Sequence, residues 1–418
     1  MPPIPTEGPA TEGSKTWSPS RLCDSNDPEV WRKIHGHLNA HEFRAAITTA
    51  FDLPSGDNFT YHASASVNLA QVEAAIRAGR ANGLHAWYVE PAAPEAREGQ
   101  GQGEREREEA ERVPGQPSVR IAGYPPASDV LAYIALFDPT KSAANSLKSL
   151  SANAKKGSLR ATIAEYLLGK RHLDPSITVP KFKVPSSSSS TSSQSQSQSQ
   201  NGGGTKAAAP NPGHQNPALD FWAYLCLALE YAGPNANTAL LKSSHHILPV
   251  YMHHFGCVVP SYESLQIINK LAAGRHVLDM GSGNGYWTFM LRRSGVNVVA
   301  VDSGQSRWRT TWIEDTLATD GVQYLRKRSG CPDHVLLLVY PIVSGDFTRK
   351  VLDAFTGNTI VVAGTQNGNG YTGFKDMMVD EYMAREKPSW EKVSQVPLPS
   401  FAGKDDALFA FRRNKEDP

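Results

Sequence analysis

An acid and three glycines at two-residue spacing, Asp279-x-Gly281-x-Gly283-x-Gly285, stand between an apolar run and a stretch of helical pattern. Glycines there let the backbone turn tightly and approach a ligand, and the start of the helix adds free N–H donors. A second acid, Asp302, ends the next apolar run 23 residues after Asp279. A carboxylate at such a strand end accepts hydrogen bonds from two ribose hydroxyls. Asp279 makes the turn unfavourable for a pyrophosphate and favourable for a cationic amino group. The ligand expected is therefore a nucleoside with an amino-acid tail. The dinucleotide fingerprint G-x-G-x-x-G would need a glycine at 286, where Tyr286 stands, so a nicotinamide cofactor is disfavoured.

Other chemistry-bearing residues need weighing. His245, His246, His253 and His254 form two pairs eight residues apart, but Pro249 interrupts the helix that a metal site would require. A neutral imidazole also suits a general base, and plain packing is the third reading. His253 and His254, with Tyr340 at the end of HVLLLVY, are the candidates for that base. Cys23, Cys226, Cys257 and Cys331 lie far apart with no CxxC, against a disulfide framework or a thiolate zinc site, and no metal is expected. Cys331 precedes Pro332 in a loop, an unsuitable place for a nucleophile. Arg307 with Arg309, and Arg326-Lys327-Arg328, are local basic clusters that read first as solvated faces. The loop Gly364–Tyr371 is Gly-rich, and either closes over a substrate or is a flexible connection.

The elements that would position these residues are legible from Leu219 onward. An apolar helix over LDFWAYLCLALEYAG, with Asp220 as N-cap, precedes a helix capped by Ser261 and carrying Leu265, Ile268 and Leu271. Short apolar runs then alternate with helical segments: RHVLDM, VNVVAVD, WIEDTL, HVLLLVY, NTIVVAGT and a last ALFAFRR as strands. Continuous apolar strands are buried on both faces and run parallel, and the alternation gives a doubly wound α/β sheet. Such sheets bind ligands at the carboxyl ends of their strands, where Asp279, Asp302 and Tyr340 fall.

The 418 residues exceed one ordinary core, yet hydrophobic residues make up only 40%, below the usual ~45–50%. The deficit sits in three stretches: a Pro/Gly/Thr-rich tail over 1–20, a charged linker over 91–117 and a Ser/Gln/Gly-rich linker over 185–217. Between them lie two small helical blocks, 21–90 and 118–184, and after them the domain 218–418. The first block has Phe43, Ile47 and Phe51 on one helix, Leu69, Val72 and Ile76 on a second, and a strand-like LHAWYV. The second has one clear helix, capped by Ser158, with Leu159, Ile163 and Leu167 on one face. Both read as packing units or a clasp on the main domain, with a protein partner possible through the N-terminal region. The start MPPIPTEGPATEG has no basic or apolar signal region and no run reaches ~18 apolar residues. A protein of a reducing compartment with no membrane association, cytoplasmic or nuclear, is expected. Lys plus Arg number 42 against 41 Asp plus Glu, and 20 against 20 within 219–418, so nucleic acid is disfavoured as a partner.

The runs VLDMGSGNGYW, strand-end Asp302, Asp320-Gly321, LLLVYP and DDALFAFRR resemble those of class I S-adenosylmethionine-dependent methyltransferases, over about 257–412. Pro260-Ser261, GSGNGYW, Tyr340-Pro341 and GNGYTGF are similar to one branch with Gly-Tyr-Trp after the glycines and aromatic-Pro after the fourth strand. The resemblance implies a seven-stranded Rossmann-like sheet with an antiparallel last strand, and S-adenosyl-L-methionine as cofactor. It further implies that Asp279, Gly281 and Gly283 hold the methionine end, Asp302 the ribose and Asp320 the adenine amino group, with Ser282 and Gly285 also at the cofactor. Glu314 and Asp315 compete with Asp320 for the last role. Enzymes of this kind acting on exocyclic amino groups carry Asn/Asp-Pro-Pro-aromatic after the fourth strand. Val339-Tyr340-Pro341-Ile342 lacks both the amide and the second Pro. The expected function is methyl transfer to a small molecule or protein side chain, and its rival is a non-catalytic cofactor-binding module.

Overall fold

The computed structural model describes residues 8–24, 28–63, 65–82, 85–92, 119–182, 215–241, 244–344 and 346–414. Residues 1–7 of the expected tail and most of the two expected linkers lie outside that set, whereas 8–20 are described and carry the strand Ala10–Thr11 and the buried Trp17.

One mixed sheet of eight strands organises the α/β fold. In chain order they are β1 His172–Leu173, β2 Val277–Met280, β3 Val298–Asp302, β4 Leu317–Ala318, β5 Val335–Val339, β6 Thr359–Thr365, β7 Trp390–Pro397 and β8 Asp406–Arg413. Across the sheet they run β4-β3-β2-β5-β6-β8-β7-β1. The first five neighbours are parallel, with Asp279 opposite Ala300 on one side and Leu337 on the other. β8 is antiparallel to β6 and to β7, and β1 adds an antiparallel edge to β7. The sheet has eight strands where seven were expected, and its edge strand β1 comes from the N-terminal half of the chain.

The period-two alternation of strands divides the core into two layers. Val277, Leu337, Val361, Ala363, Leu408 and Ala410 face one layer, shared with the helices Tyr262–Ala272 and Tyr286–Arg293 and with the N-terminal region. Leu278, Met280, Leu336, Leu338, Val362 and Phe409 face the other, covered by Gly321–Arg326, Phe347–Ala354 and Val379–Glu386.

Several local expectations change. Helix Pro217–Ala228 is capped by Asn216, not Asp220, because Pro217 fits the first helical position and needs no N–H partner. WIEDTL is not one strand: Trp312 and Ile313 are buried packing residues, Thr310–Thr311 pair with Ala10–Thr11, and Leu317–Ala318 form the sheet edge. Only the end of LHAWYV is a strand, Val89–Pro91. The second N-terminal block has three helices where one was expected: Ala127–Ile134, Ala143–Ala152 and Leu159–Lys170. Trp390–Pro397 is a full strand, with a bulge between Lys392 and Ser394.

The two N-terminal blocks share the hydrophobic cluster of one sheet face. Trp17 meets Trp312 edge-on at 5.2 Å, Phe137 meets Trp222 at 5.2 Å, and Tyr133 meets Trp222 at 5.5 Å. Among the described residues no helix is long and apolar enough to cross a membrane.

Candidate functional site

A cavity of about 580 Å³ opens at the carboxyl ends of β2, β3, β4 and β5. Its floor is the glycine turn after β2. Gly281, Gly283 and Gly285 all have left-handed φ, +78°, +57° and +80°, a conformation that costs other residues roughly 1–2 kcal/mol. The N–H of Gly281 donates to the Val301 carbonyl at 2.7 Å, and the N–H of Gly283 donates to Asp302 Oδ2 at 2.9 Å. Asp302 Oδ1 accepts from the N–H of Gly304 at 2.7 Å. One carboxylate therefore braces the turns after β2 and β3, and each oxygen keeps a further lone pair for a ligand.

Six of the seven expected binding residues lie at or beside this floor, and Gly281, Ser282, Gly283, Asp302 and Asp320 line the cavity. Ser282 Oγ is buried without a partner. Asp320 is the N-cap of Gly321–Arg326, accepting from the N–H of Gln323 at 2.8 Å, and is exposed at the cavity edge. Its competitors are elsewhere: Asp315 forms a bidentate ion pair with Arg292 and Glu314 is exposed near Gly8, neither lining the cavity. Gly285 is the helix N-cap, packed so closely that a Cβ would lie 2.5 Å from Ile313 Cγ1.

Asp279 departs from its expected role. It is fully buried behind the turn and does not line the cavity. Thr288 Oγ1 donates to its Oδ2 at 2.7 Å, and Oδ1 has no partner. Burial pushes its carboxyl up to about 7, the Thr288 hydrogen bond opposing and the Asp302 charge adding to the rise. This acid is tied through Thr288 to the helix Tyr286–Arg293 that follows the turn.

The histidines are brought near the site but not into it. His254 is fully buried, stacked on Phe51 at 3.9 Å, with Nδ1 bonded to Thr310 Oγ1 at 2.8 Å and Nε2 to Tyr61 Oη at 3.1 Å. His253 Nε2 donates to the His62 carbonyl at 2.9 Å. Burial lowers the pKa of both rings, and neither lines the cavity. Their segment matters through its backbone: Asn284 Nδ2 and Trp312 Nε1 both donate to the His254 carbonyl, at 3.1 and 2.6 Å. That fixes Met252, Phe255, Gly256 and Cys257 as a cavity wall. His245 accepts from the N–H of Ile247 at 3.0 Å, with its ring pushed down to about 3 by burial. No cluster among the described residues has the makings of a metal site.

Tyr340 does line the cavity, in a left-handed conformation (φ +48°) that turns the chain sharply after β5. Its N–H donates to the Ala363 carbonyl at 2.7 Å, and burial pushes its hydroxyl above the ordinary range. Cys257 is pushed up to about 12 by burial, so both groups hold their protons at neutral pH. The loop after β6 lines no part of the cavity. Gln366, Asn367 and Thr372 are buried; Asn369 Nδ2 donates to the Gly403 carbonyl at 2.6 Å and the N–H of Gly373 to Pro341 at 2.8 Å. It is a clamped strut, neither lid nor loose connection. Arg309 is likewise no solvated cation: its side chain is 1% exposed and pairs bidentately with Asp57.

Sequence reading missed Trp308, Phe347 and the wall 252–257. Trp308 lies on the glycine turn, 3.1 Å from where a Gly283 Cβ would be, and Phe347 lies 3.8 Å from the same point at Gly281. Gly256, left-handed at φ +88° beside the conspicuous histidines, was the one available signal for the wall.

No protein-family model and no curated protein matches the chain. Solved structures similar to it include one described as "Conversion of a Disulfide Bond into a Thioacetal Group during Echinomycin Biosynthesis", at 14% identity and TM-score 0.23, over 36% of this chain and 82% of that one. Another is the SAM-dependent methyltransferase from Agrobacterium tumefaciens, at 10% identity and TM-score 0.25, over 36% of this chain and 63% of that one.

Proposed function

We propose that the chain binds S-adenosyl-L-methionine and transfers its methyl group to a small molecule or a protein side chain. The observation that carries this reading is the brace of Gly283 on Asp302 at the ends of adjacent parallel strands, with the unpartnered Ser282 Oγ beside it. The antiparallel last strand β8 supports it, being a feature that the sequence resemblance implies.

The residues fit such a cofactor. A glycine at 281 leaves room for close approach, the spare lone pairs of Asp302 suit two ribose hydroxyls, and Asp320 stands one strand further for an adenine amino group. When bound, the cofactor supplies a methyl group on a positive sulfur. The chain's own contribution is to hold the two reactants in line and exclude water, the main demands of such a displacement. Phe255, Trp287 and Met252 give the cavity apolar lining, and Tyr340 Oη retains its proton and is therefore not a base.

A non-catalytic binding module is the second reading, favoured by one fact: no described cavity-lining group is a free base. Both described carboxylates there cap backbone N–H groups, and Tyr340 and Cys257 are protonated. Calorimetric titration with S-adenosylmethionine tests the shared premise. Binding below millimolar, lost at least tenfold in Asp302→Ala, is expected; no binding rejects both readings. Tritiated-methyl transfer in lysate then separates enzyme from module, the enzyme requiring that Asp302→Ala label less than wild type.

A further inference from the structure

Trp308 reaches the cavity from an exposed loop. Residues 303–307, which lead to it from the end of β3, are all exposed, whereas Trp308 is half-buried and lines the cavity. Its ring lies on the glycine turn, with Cζ2, Cε2 and Nε1 at 3.1, 3.4 and 3.6 Å from where a Gly283 Cβ would be. The missing side chain at 283 therefore makes room for the indole. The indole in turn covers the residue whose N–H braces Asp302.

What holds Trp308 there comes from the other end of the chain. The N–H of Glu12 donates to the Arg309 carbonyl at 2.8 Å, and Arg309 Nε donates to the Glu12 carbonyl at 3.2 Å. The Glu12 carboxylate accepts from Arg307 Nη2 at 3.0 and 3.1 Å. One residue thus grips both neighbours of Trp308. Next to it, Ala10–Thr11 pair with Thr310–Thr311, and the Thr11 and Thr310 hydroxyls share a buried hydrogen bond of 2.9 Å. Trp17 anchors the far side of the segment on Trp312 and Phe51, at 5.2 and 5.7 Å between rings. These contacts are unequal. The side chains of Arg307 and Glu12 are 80% and 45% exposed, and an ion pair so wet contributes little. Arg309 and Thr310 are buried, so the backbone bonds and the strand pair carry the grip. Asp57 holds Arg309 independently, so losing the Glu12 bond frees 307–308 without drawing Arg309 out of the core.

We propose that Trp308 is a ligand-contacting wall of the cavity and that Glu12, through its backbone, is the residue that positions it. The ligand half of this inference rests on the cofactor reading, and the positioning half does not. The test is fluorine-19 NMR of the full chain labelled with 5-fluorotryptophan, together with calorimetric titration of S-adenosylhomocysteine. Of the eight tryptophan resonances, that of Trp308 is assigned by its loss in Trp308→Phe. Saturating S-adenosylhomocysteine should shift it. Glu12→Pro removes the N–H that Arg309 accepts from. Without any ligand it should move the Trp308 resonance toward that of the free amino acid, and it should weaken S-adenosylhomocysteine at least fivefold. Arg307→Gln, which breaks only the exposed ion pair, should leave the resonance in place and the affinity within twofold. Trp308→Ala should weaken S-adenosylhomocysteine about tenfold, and Trp308→Phe, which keeps a ring, at most threefold. A purely structural role for Glu12 gives another pattern: Glu12→Pro lowers the Tm while the Trp308 resonance and the affinity stay at wild-type values. That pattern overturns the positioning. A Trp308 resonance unmoved by bound S-adenosylhomocysteine, or wild-type affinity in Trp308→Ala, overturns the wall. Should S-adenosylhomocysteine fail to bind the wild type, the cofactor reading and the wall fall together. The positioning is then decided by the resonance in Glu12→Pro alone, its displacement supporting the proposal and its constancy overturning it.

Discussion

Two carboxylates with three strands between them have very different surroundings. Asp302 is half-buried and satisfied by backbone donors, whereas Asp406 at the start of β8 is 1% exposed with neither oxygen partnered. Burial pushes Asp406 up to about 7, with the charge of Lys404 opposing and that of Asp405 adding. Below pH about 4 the folded and unfolded chains both hold this proton, so it has no effect on stability. Between that and about 7 the unfolded chain ionises first, and stability falls as pH rises. Asp406→Asn should therefore raise the Tm at pH 8 and change it little at pH 4. At ~1.4 kcal/mol per pKa unit the gain is of order a few kcal/mol, to be read from melts at both pH values. The glycines separate in the same residue-by-residue way. Gly285→Ala combines left-handed φ with a 2.5 Å clash on Ile313, and is expected to lower the Tm by many degrees. Gly281→Ala meets nothing closer than 3.8 Å, so its cost is ~1–2 kcal/mol of backbone strain. Its larger effect should be a loss of S-adenosylhomocysteine affinity of tenfold or more in calorimetry.

Elements explain how distant sequence holds the cavity roof. Strand Ala10–Thr11 pairs with Thr310–Thr311, two residues after Trp308, and Arg309 between them is buried against Asp57, Tyr61 and the Phe59 ring. Removing one partner of a buried pair leaves an uncompensated charge at about 3–5 kcal/mol. Asp57→Asn should accordingly destabilise by that amount in denaturant titration and loosen cofactor binding through Trp308. Asp302→Ala, by contrast, should affect binding far more than Tm. None of the Asp57–Arg309 pairing was legible, because two charged residues 252 apart carry no local periodicity. What was legible follows from strong local patterns: apolar runs at Val277, Val335 and Thr359, the glycine turn, and Asp302 at a fixed distance from it. β1 was missed because two residues carry no pattern of their own. β4 was hidden inside WIEDTL, whose apolar residues serve packing at 312–313 and sheet pairing at 317–318. The histidines misled in the other direction, since their chemistry is general and their burial invisible until the fold is known.

At the scale of the whole chain, described residues on either side of the two polar tracts share one hydrophobic cluster. Pro91 and Val119, which flank the charged tract, are directly opposite each other in an antiparallel pair with Glu90–Arg120 and Val89–Ile121. The flanks of the Ser/Gln tract also meet. Phe182 packs edge-on against Tyr262 at 5.1 Å, the Tyr262 hydroxyl donates to Pro180 at 3.1 Å, and Asn216 Nδ2 donates to the Pro260 carbonyl at 2.7 Å. The described flanks of each tract thus lie together at one place. Closing a loop of n residues costs entropy as about (3/2)RT ln n, so shortening 32 residues to about six gains some 1–2 kcal/mol at most. Replacing 92–118 by Asn-Gly, a two-residue hairpin turn, and 183–214 by six Gly/Ser residues should leave Tm unchanged or a few degrees higher. S-adenosylhomocysteine affinity should stay within twofold, because neither flank lines the cavity. A cooperative melt at lower temperature, or two separated transitions, would instead mean that the tracts connect independent domains. The junctions decide between these outcomes: Phe182, Asn216 and Tyr262 already hold both ends of one tract at a single helix start, and no new contact has to form when the intervening chain is removed.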